Sequence, residues 1–132
     1  MVSILKITKM SRAIMPSEAN HRGILFGGVL LQWMDEISGI TAKRFTETEV
    51  TTVAVEKVRF LKPIPVGAFL DVEGSVISVG NTSLRIRVTA KLDDDGKPAD
   101  GEQEELAADA EFVYVALDDD GKPRKVERKL CE

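Results

Sequence analysis

Hydrophobic and polar residues alternate with a period of two along much of the second half of the chain. In residues 84–89, for example, leucine, isoleucine and valine take every second position, and arginine and threonine stand between them. This alternation is typical of a β-strand with one buried and one solvated face. Together with runs of β-branched residues elsewhere, it predicts five strands, at residues 2–12, 50–61, 69–79, 82–92 and 106–117.

Turn signals separate the predicted strands. Two prolines and a glycine in residues 62–67 exclude a central strand there, and Gly80-Asn81 is the clearest hairpin signal in the chain. The sequence Asp-Asp-Asp-Gly-Lys-Pro occurs at residues 93–98 and again at 118–123. Its glycine does not stand where a calcium-binding loop requires one, and no bidentate glutamate follows, so we interpret both copies as solvated turns.

The pattern is different in residues 26–42, where a double glycine opens about four helical turns that are apolar nearly all round. A helix of this composition is expected to be buried on all sides. One carboxylate, Asp35, lies in its middle. Because an uncompensated buried charge is costly, we expect Asp35 to be paired, hydrogen-bonded or functional, with Gln32 and Ser38 in helical reach.

The order of elements is one strand, one long helix and four further strands joined by short turns. This order predicts the α+β class, in which the helix covers the apolar face of an antiparallel meander of about five strands. We assign residues 1–125 to a single domain and residues 126–132, within a polar and loose segment that begins at Arg124, to a C-terminal tail. So small a sheet leaves open edges and apolar surface, which predicts association of at least two copies.

Composition excludes several classes of protein. The 132 residues are 43% hydrophobic and 30% charged, and no apolar run approaches the roughly 18 to 20 residues of a membrane span. Residues 1–9 are too few and too polar for a signal peptide, so we expect a cytoplasmic location. The single cysteine, Cys131, can form neither an intrachain disulfide nor a cysteine metal cluster.

Charge is distributed unevenly about a net value of −4. Residues 1–92 contain 12 lysines and arginines against 8 acidic residues, whereas residues 93–132 contain 6 against 14. A mildly basic body without a dense basic stripe suits a phosphorylated small molecule better than nucleic acid. We therefore expect a small-molecule substrate, and neither a nucleic acid nor a membrane as partner.

Short motifs in a fixed order link the chain to a known family. They are Met15-Pro16, Asn20, Gly23, Phe26-Gly27-Gly28, Asp35, Phe60-Leu61-Lys62-Pro63, Val66-Gly67, Gly80-Asn81-Thr82-Ser83, Phe112-Val113-Tyr114-Val115-Ala116 and Gly121-Lys122-Pro123. In this order and spacing they resemble the hotdog-fold acyl-CoA thioesterases of the bacterial YciA type and the related eukaryotic acyl-CoA hydrolases. The resemblance runs from about residue 10 to residue 125.

The resemblance implies the hotdog fold, which is a long central helix wrapped by an antiparallel sheet. It implies dimers whose sheets join edge to edge, often three such dimers in a hexamer, and active sites built between subunits. It also implies the hydrolysis of acyl-CoA to a free acid and CoA, without a metal or an organic cofactor.

Thioester hydrolysis needs groups that polarise the carbonyl and activate water. The free N–H groups of Gly27 or Gly28 at the helix N-terminus suit an oxyanion site. Asp35 lies about two turns further along the same face and is, by analogy with the family, the general base for water or the direct nucleophile. Asn20 matches the family's loop asparagine, which orients water or the substrate carbonyl across the dimer interface. Glu36 points about 100° away and is expected at the surface, although an exchange of roles with Asp35 stays open.

Binding of CoA needs cations and small polar groups near strand ends. The basic candidates can meet phosphates, and the hairpin turn can bind pantetheine or nucleotide. The acyl pocket is expected at the dimer interface. The candidates are Arg59, Lys62, Gly80 and Ser83 for CoA, and Trp33 and Met34 for the acyl pocket.

Two other functions are compatible with parts of the pattern. His21, the only histidine, stands fourteen residues before Asp35, which resembles the His and Glu separation of hotdog dehydratases and hydratases that act on 3-hydroxyacyl thioesters. In that reading His21 is the base and Asp35 the acid, but the acid would be Asp instead of Glu. The second alternative is a non-catalytic acyl-CoA-binding module, for which a carboxylate near the carbonyl has no use.

The open edges of the predicted sheet lead to a test of assembly. Sedimentation at micromolar concentration is expected to show a dimer or a larger oligomer, because edge pairing covers the exposed backbone groups and apolar surface. A monomer at that concentration would contradict the prediction.

Overall fold

The computed structural model describes residues 7–93 and 106–129. Within these residues, one 20-residue helix lies against a five-stranded antiparallel sheet, and a single 3₁₀ turn (Pro16–Glu18) precedes the helix. None of the described helices is long and apolar enough to cross a bilayer. The elements are β1 (Ile7–Ala13), α1 (Gly27–Thr46), β2 (Glu49–Phe60), β3 (Phe69–Val79), β4 (Ser83–Asp93) and β5 (Leu106–Leu117).

The α+β class and the positions of the strands are confirmed, and the order of strands in the sheet is not that of a simple meander. The order is β1-β3-β4-β5-β2, so that only β3, β4 and β5 follow one another as neighbours. The helix between β1 and β2 carries the chain across the sheet, and β2 therefore pairs with β5 at the far edge. Both β1 and β2 are edge strands, and residues 2–6 of the predicted first strand lie outside the described residues.

The core lies between one stripe of α1 and the inner face of the sheet. On β4 every second residue from Leu84 to Ala90 is buried, as its alternating pattern predicts. Each large apolar side chain removed from water stabilises the fold by roughly 1.5–3 kcal/mol. The helix contributes Leu30, Trp33, Met34, Ile37, Ala42 and Phe45 to this core.

The prediction that the helix is buried on all sides is wrong for the single chain. A five-stranded sheet covers only one side of a helical cylinder, and the opposite side of α1 faces outward. Asp35 is therefore exposed, as is Glu36, and Ile40 on the same side is 46% exposed. The outward side also carries Gln32, Lys43 and Arg44.

The second acidic repeat forms the predicted turn. The Asp118 carboxylate accepts backbone hydrogen bonds from Asp120 at 2.8 Å and Lys122 at 2.9 Å. Gly121 has a φ of +77°, which a glycine adopts at little cost. In the first repeat, residues 94–98 lie outside the described residues.

The segment that follows the second acidic turn packs against the domain. Arg124 N–H donates to the Ala116 carbonyl at 2.9 Å, and Val126 N–H donates to the Asn81 carbonyl at 2.8 Å. Because the Val126 side chain is only 7% exposed, the expectation of a loose segment from Arg124 onward is wrong up to this residue. The division between domain and tail at residue 125 stays a prediction.

Close approach of α1 to β3 depends on Gly74. A Cβ at this position would lie 2.9 Å from Thr41 Oγ1, which is itself bonded to the Ile37 carbonyl at 2.8 Å. We expect Gly74→Ala to lower the free energy of unfolding by about 1–3 kcal/mol, because the helix or the Thr41 side chain must shift. Urea denaturation measures the change.

Thr41→Ala supplies the matched background. Since it removes the crowded oxygen, Gly74→Ala is expected to cost less free energy there than in the natural chain. Equal costs in the two backgrounds would show that the close contact is not the cause.

Candidate active site

The Asp35 carboxylate is held by two hydroxyl groups that the sheet presents to the helix. Thr52 Oγ1 donates to Asp35 Oδ1 at 2.9 Å, and the Tyr114 hydroxyl donates to the same oxygen at 2.8 Å. No hydrogen bond from a described residue reaches Oδ2. One carboxylate oxygen is thus fixed, and the other is available on an exposed face of the helix.

The two hydroxyls meet because of strand register. Thr52 on β2 and Tyr114 on β5 are direct cross-strand partners, and Leu84 on β4 pairs with Tyr114 from the other side. Side chains of paired residues project to the same face of a sheet. A register irregularity follows Thr52 immediately. Asp35 on α1 lies above this pair of side chains and accepts a hydrogen bond from each.

Tyr114 is the centre of a small buried hydrogen-bond network. Its hydroxyl oxygen lies 2.7 Å from Ser38 Oγ and 2.9 Å from the Asp35 backbone carbonyl oxygen, and its single hydrogen goes to Asp35 Oδ1. Ser38 Oγ also donates to that carbonyl at 3.0 Å. A Cβ on Gly39 would lie 3.4 Å from the Tyr114 hydroxyl, so the glycine leaves room for the phenol beside the helix.

Burial controls the protonation of this tyrosine. Tyr114 is 3% exposed, and burial raises the pKa of its hydroxyl to about 12. The neighbouring hydroxyls of Ser38 and Thr52 oppose the rise in pKa, whereas the nearby Asp35 carboxylate adds to it. The phenol therefore keeps its proton at neutral pH and remains a donor to Asp35.

Gly27 and Gly28 begin the helix with amides that precede its hydrogen-bond ladder. The first bond of the ladder runs from Leu30 N–H to the Phe26 carbonyl at 3.1 Å. Gly28 is exposed, and a Cβ there would meet nothing within 4 Å. These N–H groups lie at the positive end of the helix dipole, where a negatively charged ligand oxygen is favoured.

Within one chain, the helix start and Asp35 are too far apart to act on one carbonyl group. The seven or eight residues between them span about 10–12 Å at a rise of about 1.5 Å per residue. A nucleophile lies about 3–3.5 Å from the carbon that it attacks, and an oxyanion donor lies about 3 Å from the oxygen. Asp35 and the amides of Gly27 and Gly28 therefore belong to one site only if a second copy of the chain contributes.

Asn20 shapes the loop that leads into the helix. Its side-chain oxygen accepts hydrogen bonds from Arg22 N–H at 2.9 Å and Ile24 N–H at 3.1 Å. Gly23, at a φ of +72°, completes this turn. The side-chain NH₂ of Asn20 makes no hydrogen bond with the described residues, so it stays available as a donor.

A groove of about 300 Å³ lies beside the helix start and brings together three of the predicted site residues. Asn20, Gly27 and Lys62 line it, together with Phe60, whose ring lies 3.4 Å from a Cβ built on Gly27. Asp35 does not line this groove. The helix-start residues and the carboxylate thus form two separate parts of the predicted site in one chain.

Arg59 is engaged within the chain. Its Nε and Nη2 donate to the two oxygens of Asp109 at 2.8 and 2.6 Å, and Arg87 reaches the same carboxylate at 3.0 Å. Hydrogen bonding from Arg59 is the main cause that lowers the pKa of Asp109 below its usual value, although burial opposes it. A phosphate must therefore compete with Asp109 for the Arg59 guanidinium.

The hairpin candidates lie far from Lys62. Gly80 N–H donates to the Ser83 carbonyl at 2.8 Å in the turn between β3 and β4. Ser83 pairs with Val115 on β5, whereas Lys62 N–H bonds to Ala107 at the other end of that strand. Eight strand residues span about 26 Å, so the four candidates for CoA do not meet at one point in one chain.

The remaining candidates are inside the core or fully at the surface. Trp33 is 3% exposed and Met34 is fully buried, and the Arg12 guanidinium lies 4.4 Å above the Trp33 ring. An acyl pocket at these two residues stays a prediction.

His21 lies exposed in the turn after Asn20, and no described contact joins it to Asp35. Among the described residues, no three His, Cys, Asp or Glu side chains are grouped to hold a metal.

Sequence reasoning missed Thr52 and Tyr114. The predicted holders of Asp35 were Ser38, which bonds its backbone carbonyl, and Gln32, which is exposed. One signal was present, because a lone tyrosine at an inward strand position needs a buried partner for its hydroxyl. The partner itself depends on register between β2 and β5, which are far apart in the chain.

Comparison with known proteins shows what the chain is similar to. A family model described as the thioesterase superfamily matches residues 22–99. An uncharacterized acyl-CoA thioester hydrolase of Haemophilus influenzae is 36% identical over 115 residues, which are 87% of this chain and 74% of that relative. The cytosolic acyl coenzyme A thioester hydrolase of Homo sapiens is 32% identical over 77% of this chain, which spans 26% of the length of that relative.

Solved structures show the same architecture. The acyl-CoA hydrolase from Staphylococcus aureus, in complex with butyryl coenzyme A and coenzyme A, has a TM-score of 0.81 and 35% identity, covering 91% of this chain and 68% of its own. The hexameric thioesterase from Yersinia pestis has a TM-score of 0.78 and 33% identity, covering 89% of this chain and 92% of its own.

The single tyrosine of the chain makes its titration directly observable. We expect the phenolate absorbance of the folded protein to rise with a midpoint near pH 12, against about 10 for an unfolded tyrosine. Because the folded pKa is the higher one, Tyr114 contributes stability that is complete below about pH 10 and is lost as the pH rises through about 12.

Tyr114→Phe is the control for this titration, because it removes both the absorbance change and the alkaline loss of stability due to this group. A midpoint near pH 10 in protein that remains folded by circular dichroism would contradict the assignment of a buried, hydrogen-bonded phenol.

Proposed function

The chain belongs to the thioesterase superfamily as an acyl-CoA thioester hydrolase of the hotdog fold, and we propose that Asp35 is its catalytic carboxylate. The predicted family and fold are thereby confirmed. The proposed reaction takes an acyl-CoA and water to a free acid and CoA. Thr52 and Tyr114 hold the carboxylate, and helix-start amides polarise the thioester carbonyl.

The hydrogen bonding of Asp35 is the observation that carries this proposal. Two hydroxyls fix one oxygen of an exposed carboxylate, and the second oxygen faces outward from the helix. Asp35 has the geometry of a reactive group that is oriented by its neighbours on one oxygen and open to substrate on the other.

Three substitutions studied in the Staphylococcus aureus acyl-CoA hydrolase support the same residues. Solved structures exist for variants of that enzyme in which an asparagine, an aspartate or a threonine is replaced by alanine. In sequence order, these three residues are fifteen and seventeen positions apart. Asn20, Asp35 and Thr52 have the same separations here. We therefore propose that these three residues form the reactive group of this chain.

The complete site needs a second copy of the chain. Since Asp35 and the helix start of one chain are about 10–12 Å apart, we propose that the carboxylate of one subunit works with Asn20, Gly27 and Gly28 of another. The exposed side of α1 and the free edge of β2 are the surfaces that such a dimer would cover. By analogy with the hexameric enzyme of Yersinia pestis, we propose a trimer of dimers.

Two routes of hydrolysis fit this geometry. In one, Asp35 Oδ2 attacks the thioester carbon, the C–S bond breaks to release CoA as a thiolate that is then protonated, and water cleaves the resulting anhydride. In the other, Asp35 takes a proton from water as the water attacks the same carbon. Both routes require the ionised carboxylate, and both develop negative charge on the carbonyl oxygen. Each amide aimed at that oxygen contributes about 3 kcal/mol to the transition state.

Lys62 is the strongest candidate for contact with CoA. It lines the groove that also contains Asn20 and Gly27, so a ligand in that groove lies beside the proposed oxyanion amides. We retain Arg59, Gly80 and Ser83 as candidates for more distant parts of CoA. The carboxylate and the amides supply the chemistry, so we propose a reaction without a metal or organic cofactor, and a cytoplasmic location like that named for the human relative.

Asp35→Asn tests the assignment with little change in shape. We expect kcat to fall by about 10²–10⁴-fold because the base or nucleophile is lost, while the affinity for CoA and the thermal midpoint stay close to those of the natural protein. Thiol release from acyl-CoA substrates of C2 to C18 chain length measures turnover and also defines the acyl specificity.

Glu36→Gln is the matched control, because it neutralises an adjacent exposed carboxylate on the same helix. It is expected to keep full turnover. Near-natural turnover by Asp35→Asn would overturn the proposal, and hydration of an enoyl-CoA that is lost in His21→Ala would favour the dehydratase alternative.

A further inference from the structure

The two oxygens of the Asp35 carboxylate have different surroundings, because only Oδ1 accepts hydrogen bonds from described residues. We propose that Tyr114 is the positioning residue that sets this difference, because its hydroxyl fixes Oδ1 and leaves Oδ2 to face the thioester or the attacking water. The inference rests on the proposed role of Asp35. Tyr114 does not line the groove at the helix start, and it lies on β5, whereas the carboxylate lies on α1.

The Tyr114 side chain is fixed in position by packing and by a second hydrogen bond, so it can orient the Asp35 carboxylate. Its side chain is 3% exposed and sits between cross-strand neighbours on β2 and β4. Ser38 Oγ contacts the phenolic oxygen at 2.7 Å from the helix side. A hydroxyl that is fixed by packing and by a second hydrogen bond can impose a direction on a carboxylate.

Proton count supports the direction of these bonds. A phenol and a serine hydroxyl each donate one hydrogen. Since an ionised carboxylate only accepts, Tyr114 gives its hydrogen to Asp35 Oδ1, and Ser38 gives its own to the phenolic oxygen or to the Asp35 carbonyl. The raised pKa of the phenol keeps this arrangement protonated across neutral pH.

Thr52 and Tyr114 have different parts in holding the same oxygen. Thr52 is exposed on an edge strand, and it touches Asp35 only at Oδ1. Tyr114 is buried and also bonds to Ser38 Oγ on the helix that carries Asp35, so its hydroxyl is held in place relative to that helix. The buried phenol therefore sets the orientation of the Asp35 side chain. Thr52 adds a second hydrogen bond from the edge strand β2.

Tyr114→Phe tests this inference because it keeps the ring and removes the hydroxyl. We expect kcat to fall by about 10- to 100-fold with KM little changed, on the scale of a hydrogen bond to a charged group. A fall in kcat without a rise in KM separates misorientation of the carboxylate from weaker substrate binding. Stopped assays of thiol release from one good acyl-CoA substrate measure kcat and KM, and circular dichroism measures the folded fraction.

Ser38→Ala serves as the comparison variant. It removes a hydroxyl from the same network that does not touch the carboxylate, so its kcat should fall less than that of Tyr114→Phe. A double-mutant cycle with Thr52→Val should show more than multiplicative loss of kcat, because only the double variant frees both bonds to Oδ1.

The outcomes separate this inference from the proposed function. If Asp35→Asn abolishes turnover while Tyr114→Phe keeps the natural kcat, the positioning role of Tyr114 is overturned and the catalytic role of Asp35 stands. If Tyr114→Phe loses activity only in proportion to a loss of folded protein, with an unchanged kcat per folded molecule, Tyr114 is a packing residue and the positioning role is overturned. If Asp35→Asn is active, both proposals fall.

Discussion

Packing of one stripe of α1 against the inner face of β3, β4 and β5 is the contact on which the rest of the structure depends. It buries the large apolar side chains of the helix, and it also fixes which residues of the helix face the sheet and which face outward. Gly74 and Gly39 allow this approach to be close, the first beneath Thr41 and the second beside the Tyr114 hydroxyl. The position of Asp35, the proposed reactive carboxylate, follows from this packing, since the helix rotation that buries Met34 and Ile37 leaves Asp35 at the border of the buried stripe.

That border position reconciles two demands on a catalytic carboxylate. It must be oriented by fixed donors, and it must also be reachable by substrate. Tyr114 approaches Asp35 from the core and Thr52 approaches it from the rim of the sheet, so the side chain is anchored on its inner side and open on its outer side. A carboxylate fully inside the core would be protected from substrate, and one at the centre of the outward face would lack fixed donors.

The same one-sided packing explains why a single chain would carry only part of the proposed site. The helix covers the sheet, but within residues 7–93 and 106–129 no element covers the outer side of the helix or the outer edge of β2. Helix rise alone separates the amides at the helix start from Asp35 by about 10–12 Å. Assembly and catalysis would therefore be linked in the proposed dimer, because the exposed side of the helix also carries Asp35, the proposed reactive group.

Sequence alone determined the elements, because strand and helix periodicities are local properties of neighbouring residues. It located all five strands, the long helix, the glycines at its start and Asp35, and the family motifs added the hotdog fold and the thioester chemistry. Tertiary structure alone decided that β2 lies beside β5, that the helix is buried on one side only, and that Thr52 and Tyr114 meet at Asp35. It also decided that Arg59 pairs with Asp109. These contacts depend on strand register and on the rotation of the helix, and they join segments up to 79 residues apart in the chain. A local hydrophobic pattern does not determine contacts between such distant segments.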